Sequence, residues 1–393
     1  IVAERDCMVK QLQLARVSAL PASPGPAARS GPSLTSAEAT APGLLLLIVA
    51  VLLIPGTFQV AGSVLSPYRV LLLALFPFLV RRWVADTAGR PGSVDLLVLA
   101  SCLWLGLGLI VNHGLSAIPR VTILFVELFG GYLVGRTLIR NGIDHRNYFR
   151  YLTLAFLFLL PLAVLETLTG FNALRTIADV VLDVPRRQQN LGLRFGLIRA
   201  QGPLEHPILF GMVASMGVAN VFYIYRKGLQ GTVRAMLFAF TTFTTLSTGP
   251  LLAVFCQLCL MAWDRALAFL RFRWLVLAYL VLLGVLAIRI GADFQIREFI
   301  VHDLSYSQAS AEGRLVNFDY GMMEVRRHPV FGIGLNDWTR PWWRANEPTF
   351  DNFWLGYAMR YGLPTFCFLA LAWGLSFARI AMQKTLSPEE ADY

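Results

Sequence analysis

Two arginines and one carboxylate outside the apolar runs have the residue types for group transfer from a phosphate. Arg199 stands in RAQGPLEHP, Arg314 in SAEGRLVNFDYG and Asp351 in TFDNFWL. A guanidinium stays charged at physiological pH and grips two phosphate oxygens with a planar fork. A carboxylate beside a sugar hydroxyl accepts its proton or fixes its direction. Each residue also has a plainer reading. Arg199 either points at a diphosphate or meets lipid headgroups at the membrane surface. Arg314 follows the small polar stretch SQASAEG, where a helix is expected to begin and to run through Leu315 to Arg326. In the first turn of that helix, guanidinium and helix dipole together favour an anion; otherwise Arg314 is a solvated loop residue. Asp351 is either a catalytic carboxylate or the N-cap of the last helical stretch.

Weaker candidates surround these three. Arg186 and Arg187 suit contact with a diphosphate or glycan. His206 precedes a predicted span, and His328 is either a base or the end of the preceding helix before Pro329. Asn352 follows Asp351. Gly332 and Gly334 in HPVFGIGLN predict a tight turn and not a nucleotide site, because no strand and helix flank them. LSTGPLLAVF reads as a sharp hairpin between two helices, with Ser247 and Thr248 at its tip. Trp338, Trp342, Trp343 and Trp354 fit an interfacial belt, and also sugar stacking. Cys256 and Cys259 form a CxxC inside an apolar run, which points to buried membrane cysteines and not to a metal or redox site.

The elements that must position these residues are membrane helices. The chain of 393 residues is 56% hydrophobic and 15% charged, and its apolar residues are bunched into runs long enough to span a bilayer. The net charge of +10 comes from basic residues gathered between those runs, a membrane pattern that does not call for nucleic acid. About ten spans are expected, at roughly 43–60, 65–81, 94–111, 120–138, 149–168, 206–225, 233–247, 249–264, 274–290 and 360–380. The predicted fold is therefore an all-α polytopic bundle. Residues 1–42, rich in Pro, Ala, Ser and Gly, read as a disordered cytoplasmic tail, and 383–393 as a second cytoplasmic tail. Arg81, Arg82, Arg90, Arg140, Arg146, Arg150, Arg226, Lys227, Arg265 and Arg271 fall in the expected inner loops. Both termini are thus predicted inside, with two long extracytoplasmic loops at about 170–205 and 291–351. All the candidate residues lie in or beside those loops, so the chemistry belongs outside the membrane, on a lipid-carried substrate.

In the order and spacing of RAQGPLEHP, LSTGPLLA, the arginine after a small polar stretch, HPVFGIGLN, DNFWL and RYGL, residues 43–382 resemble the O-antigen ligase and polymerase-like superfamily of bacterial membrane glycosyltransferases. The resemblance implies a glycan donor carried on undecaprenyl diphosphate and an active site on the periplasmic face of the inner membrane. It implies neither a nucleotide sugar nor a required metal, and no cofactor is expected. Arg199 and Arg314 match the family's two functional arginines, thought to hold the diphosphate leaving group. Ligases transfer a finished glycan to lipid A core; polymerases transfer a growing chain to another repeat unit, where a chain-length regulator protein is a further partner. The ligases usually carry His and then Asn where this chain has Asp351-Asn352, which favours a surface polysaccharide polymerase. The alternatives are an O-antigen ligase and, in other classes, a polysaccharide transporter or flippase and a non-catalytic assembly protein. Sparse charge within the spans, with Glu127 and Glu166 the main exceptions, argues against a coupled transporter.

Overall fold

A computed structural model describes residues 40–60, 63–85, 90–182, 193–225, 228–291, 308–344, 350 and 352–382. The chain divides into residues 1–38, outside the described residues, and a unit from Ala39 to Tyr393. Arg186, Arg187 and Asp351 also lie outside the described residues.

The described part is mostly helical. Its helices are α1 (Pro42–Val51), α2 (Pro67–Val84), α3 (Ser93–His113), α4 (Ile118–Phe125), α5 (Gly131–Leu138), α6 (Gly142–Thr169), α7 (Ala173–Leu182), α8 (Pro207–Ile224), α9 (Leu229–Thr244), α10 (Thr248–Ala266), α11 (Arg273–Gly291), α12 (Gln308–Arg327), α13 (Phe353–Tyr361) and α14 (Leu363–Met382). Two small antiparallel hairpins interrupt them: β1 (Phe58–Val60) with β2 (Ser63–Leu65), and β3 (Leu193–Arg194) with β4 (Leu197–Ile198).

A helix stands at each of the ten expected places, but fewer qualify as spans. Among the described residues, four stretches are long and apolar enough to cross a membrane: Ser93–Leu138, Gly142–Thr169, Pro207–Ile224 and Leu363–Ile380. The first takes in two expected spans, because α3, a 3-10 turn, α4, a π-turn at Val126–Gly130 and α5 run on without a break. Pro42–Val51 is too short at 10 residues, and α2 carries Arg69, Arg81 and Arg82.

Among the described residues, two larger hydrophobic cores hold the bundle. In the first, Phe156, Leu159 and Ala163 of α6 meet Phe210, Ala214 and Val218 of α8 and Phe238 of α9. Phe156 stacks on Phe210 with centroids 5.7 Å apart. Close approach of α8 and α9 requires Gly217, where a Cβ would come within 2.5 Å of Cγ of the Phe238 ring. In the second, Leu79 of α2, Val98 and Cys102 of α3, Phe129 and Leu133, and Ala372 of α14 pack together. A smaller cluster joins Val325 of α12 to Ile333, Trp338 and Leu355, Ala358 and Met359 of α13. Acidic residues inside the bundle are tied. Asp95 accepts from Tyr132 at 2.5 Å and Arg136 at 3.2 Å. Glu127, in the π-turn, accepts from Tyr68 and Arg69, each at 2.6 Å.

Candidate active site

The segment from Arg199 to His206 is held at almost every residue. Ala200 N–H donates to Thr244 O at 3.1 Å, at the end of α9. The buried Glu166 carboxylate, in the last turn of α6, accepts from Gln201 N–H at 3.2 Å and Gly202 N–H at 3.0 Å. Asn172 donates both to Glu166 at 2.9 Å and to Gly202 O at 2.9 Å. Arg175 of α7 donates to Leu204 O. Gly202 has a φ of +55°, a conformation that glycine adopts without a Cβ penalty. His206 then caps α8, its Nδ1 accepting from Ile208 N–H at 3.1 Å, and Pro207 occupies the first turn. In this structure His206 is a helix cap, and its Nε2 carries the proton if the ring is neutral.

Arg199 projects from this fixed segment onto the α9–α10 turn. Its Nη2 donates to Ser247 Oγ at 2.8 Å, and its Nε lies 3.5 Å from Thr245 O. Arg194 reaches the same turn: Nη1 donates to Leu246 O at 2.9 Å and to Thr248 Oγ1 at 3.2 Å. The β3–β4 hairpin makes this possible. Phe195 and Gly196, its two central residues, have φ of +54° and +74°, the signs a type I′ turn requires. The chain reverses over two residues, so Arg194 and Arg199 approach one turn from one hairpin. Burial, and secondarily the Arg194 charge, push the Arg199 guanidinium down to about 10.

Arg314 sits elsewhere. The whole SQASAEG stretch from Gln308 onward is helical, so Arg314 falls in the second turn of α12 and not in the first, and it is exposed. The unpaired N–H groups of a helix lie in its first turn, so the expected helix-end contribution at Arg314 is lost. No described contact joins Arg314 to the Arg199 turn. α12 ends at Arg327, as expected, and His328 is exposed just beyond it.

HPVFGIGLN and RYGL, some thirty residues apart, fold into one clasp. Ile333 N–H donates to Met359 O at 2.9 Å, Gly334 N–H to Arg360 O at 2.8 Å and Leu363 N–H to Pro329 O at 2.8 Å. Gly332 and Gly334 have φ of +66° and +63°. A Cβ on Gly332 would overlap the Arg360 backbone, and one on Gly334 would come within 2.5 Å of His113 Nε2. His113 Nε2 accepts from Leu335 N–H at 2.7 Å, and Trp104 of α3 donates to Val330 O at 2.9 Å. The glycine pair is therefore a packing and turn device, as its flanks predict. The cap of α13 is Asn352, which accepts from Leu355 N–H at 3.1 Å. The capping role weighed for Asp351 thus belongs to its neighbour.

Sequence reasoning missed Arg194 and the function of Glu166. Arg194 is one of five arginines in the long loop expected at about 170–205, beside Arg175, Arg186, Arg187 and Arg199. The signal lay in LRFGLI, where apolar residues alternate around a central Gly. Glu166 showed only as an acid near a span end.

Residues 233–370 match a family model described as O-antigen ligase. That stretch, about a third of the chain, holds the α9–α10 turn, Arg314, the clasp and Asp351, and it leaves out Arg194, Arg199 and His206. The match supports the O-antigen ligase and polymerase-like superfamily. No curated protein sequence and no solved structure matches the chain significantly. Among the described residues four stretches are long and apolar enough to cross a membrane, which with the match points to a membrane protein similar to the O-antigen ligases.

Proposed function

We propose that the protein is a membrane glycosyltransferase that takes its glycan from an undecaprenyl diphosphate carrier. The acceptor is another lipid-linked repeat unit, which makes it a surface polysaccharide polymerase of the bacterial inner membrane. An acceptor hydroxyl oxygen attacks the anomeric carbon of the donor sugar. The carbon–oxygen bond to the diphosphate breaks, and its electron pair leaves with the lipid diphosphate. The hydroxyl proton passes to a base, the role given to Asp351. Arg199 and Arg314 offset the negative charge that grows on the leaving diphosphate, an electrostatic contribution that often dominates such reactions. Asn352 adjoins Asp351 in sequence, His328 lies in the same expected loop, and Arg186 and Arg187 lie in the other. All four are secondary candidates for glycan contact.

The observation that carries this reading is the agreement of the O-antigen ligase match over 233–370 with a rigidly held Arg199 beyond its border. The acidic groups noted as exceptions to the apolar spans, Glu127 and Glu166, accept hydrogen bonds from fixed partners. This supports a transferase over a carrier that must load and unload charge. Purified protein should be given lipid-linked repeat units and, separately, lipid A core. Chains of several repeats on the lipid carrier are expected. Single transfer to lipid A core would make it a ligase. No transfer to either acceptor would favour a flippase or an assembly protein.

A further inference from the structure

Two partly buried guanidiniums share one four-residue turn, and the acceptors they use there are all uncharged. Arg194 binds Leu246 O and Thr248 Oγ1; Arg199 binds Ser247 Oγ and approaches Thr245 O. Other described arginines are paired with carboxylates: Arg69 with Glu127, Arg136 with Asp95, Arg273 with Asp264 and Arg327 with Glu324. Among the described residues neither Arg194 nor Arg199 has such a partner. Glu166, the buried acid of α6 that anchors the Gln201–Gly202 backbone, is taken up by Gln201, Gly202 and Asn172.

Like charges brought together away from water are unfavourable. Here the chain also holds Leu246, a buried non-glycine residue, at a φ of +44° to form the turn, a strained conformation of the kind that gathers at binding sites. Each fork keeps unused donors. Arg199 has Nη1 and Arg194 has Nε and Nη2 beyond the bonds above. The turn is also the amino end of α10, a helix of 19 residues whose N-cap Ser247 makes no side-chain cap bond. Among the described residues no acceptor meets the N–H groups of Thr248 and Gly249, and Pro250 has none. Gly249 is exposed, and a Cβ there would meet open space. An anion placed before Gly249 answers the repulsion, the spare donors and the open helix end together.

We propose that Arg194, Arg199 and the amino end of α10 form one dianion site that takes a diphosphate, with Arg194 a second guanidinium on the leaving group of the donor. The proposal rests on the transfer reading only for the identity of the donor. The arginine paired with Arg199 is then Arg194, close by on the same hairpin, and Arg314 acts from a separate element.

The test uses the full chain in nanodiscs of phosphatidylcholine, with inorganic pyrophosphate as the probe and calorimetry as the readout. Wild type should bind it. Arg194→Gln should weaken binding about tenfold or more, the scale of one charge-assisted hydrogen bond. Arg194→Lys, which keeps the charge and so guards against misfolding as the cause, should fall in between, and Arg314→Gln should change affinity less than Arg194→Gln. Wild-type affinity in both Arg194 variants overturns the proposal. Nanodiscs of phosphatidylglycerol separate the sources of phosphate: if they suppress pyrophosphate binding completely, the site belongs to headgroups and the donor assignment falls. The two readings fail differently. Arg194-dependent pyrophosphate binding in a protein that transfers no glycan keeps the anion site and removes the transferase. Glycan transfer at the wild-type rate in Arg194→Gln does the reverse.

Discussion

Glu166 and Asn352 are small residues of detail with separable consequences. Glu166 fixes the segment that carries Arg199 without touching Arg199 itself, so it is a positioning residue. Glu166→Ala leaves the Gln201 and Gly202 N–H groups without their acceptor, at a cost of roughly 1–3 kcal/mol. Turnover should fall more than substrate affinity, because an arginine that is misplaced in the transition state loses differential binding. Glu166→Gln, which keeps one acceptor oxygen, should recover part of the turnover. Steady-state kinetics beside thermal melting reads both; equal losses in kcat and stability with no recovery in Gln would leave Glu166 a purely structural residue. At the other segment, the α13 cap is Asn352. Asn352→Ala should cost about 1 kcal/mol of stability. Asp351→Asn and Asp351→Ser should melt like wild type and lose most activity, and Asp351→His should restore some of it. Full activity in Asp351→Ser takes Asp351 out of the mechanism.

At the scale of elements, the clasp between HPVFGIGLN and RYGL makes the clearest demand. Gly332→Ala combines a left-handed φ with overlap on the Arg360 backbone. Backbone strain and overpacking each cost roughly 1–3 kcal/mol. The variant should accumulate poorly, while Gly249→Ala, whose added Cβ meets open space, should accumulate normally. Quantitative immunoblotting of membranes distinguishes them, and normal levels of Gly332→Ala would contradict the packing. Local signals were legible: Pro207 at the start of α8, Ser247 between α9 and α10, and the end of α12 before His328 all fall where the sequence puts them. What stayed hidden was non-local or weakly coded. No pattern along the chain pairs Gly334 with Arg360. The helix expected to begin within SQASAEG reaches back from Arg314 to Gln308, because the Gln, Ala and Glu of that stretch are good helix formers.

At the scale of the whole molecule, the apolar runs and the order of the motifs point to a helical membrane protein. The count of spans is less secure in the sequence than their existence. Runs such as 120–138 join their neighbours through 3-10 and π turns, and hydropathy alone does not see where a helix stops. Orientation is testable directly. In a background without the native cysteines, Ser307→Cys should react with an impermeant thiol reagent in intact spheroplasts, and Ser36→Cys should react only after lysis. Labelling at 36 and not at 307 would invert the protein and put the proposed chemistry on the wrong side of the membrane.

The central claim is that guanidiniums stabilise a departing lipid diphosphate. The most direct measurement is release of free undecaprenyl diphosphate from a lipid-linked repeat unit by protein reconstituted in liposomes, followed in single turnover. Arg199→Lys and Arg314→Lys keep the charge and lose the fork. Each should slow release about a hundredfold, the scale for removing one transition-state donor, with the protein inserted at wild-type levels. Release at close to the wild-type rate from the Arg199→Lys, Arg314→Lys double variant would contradict the claim.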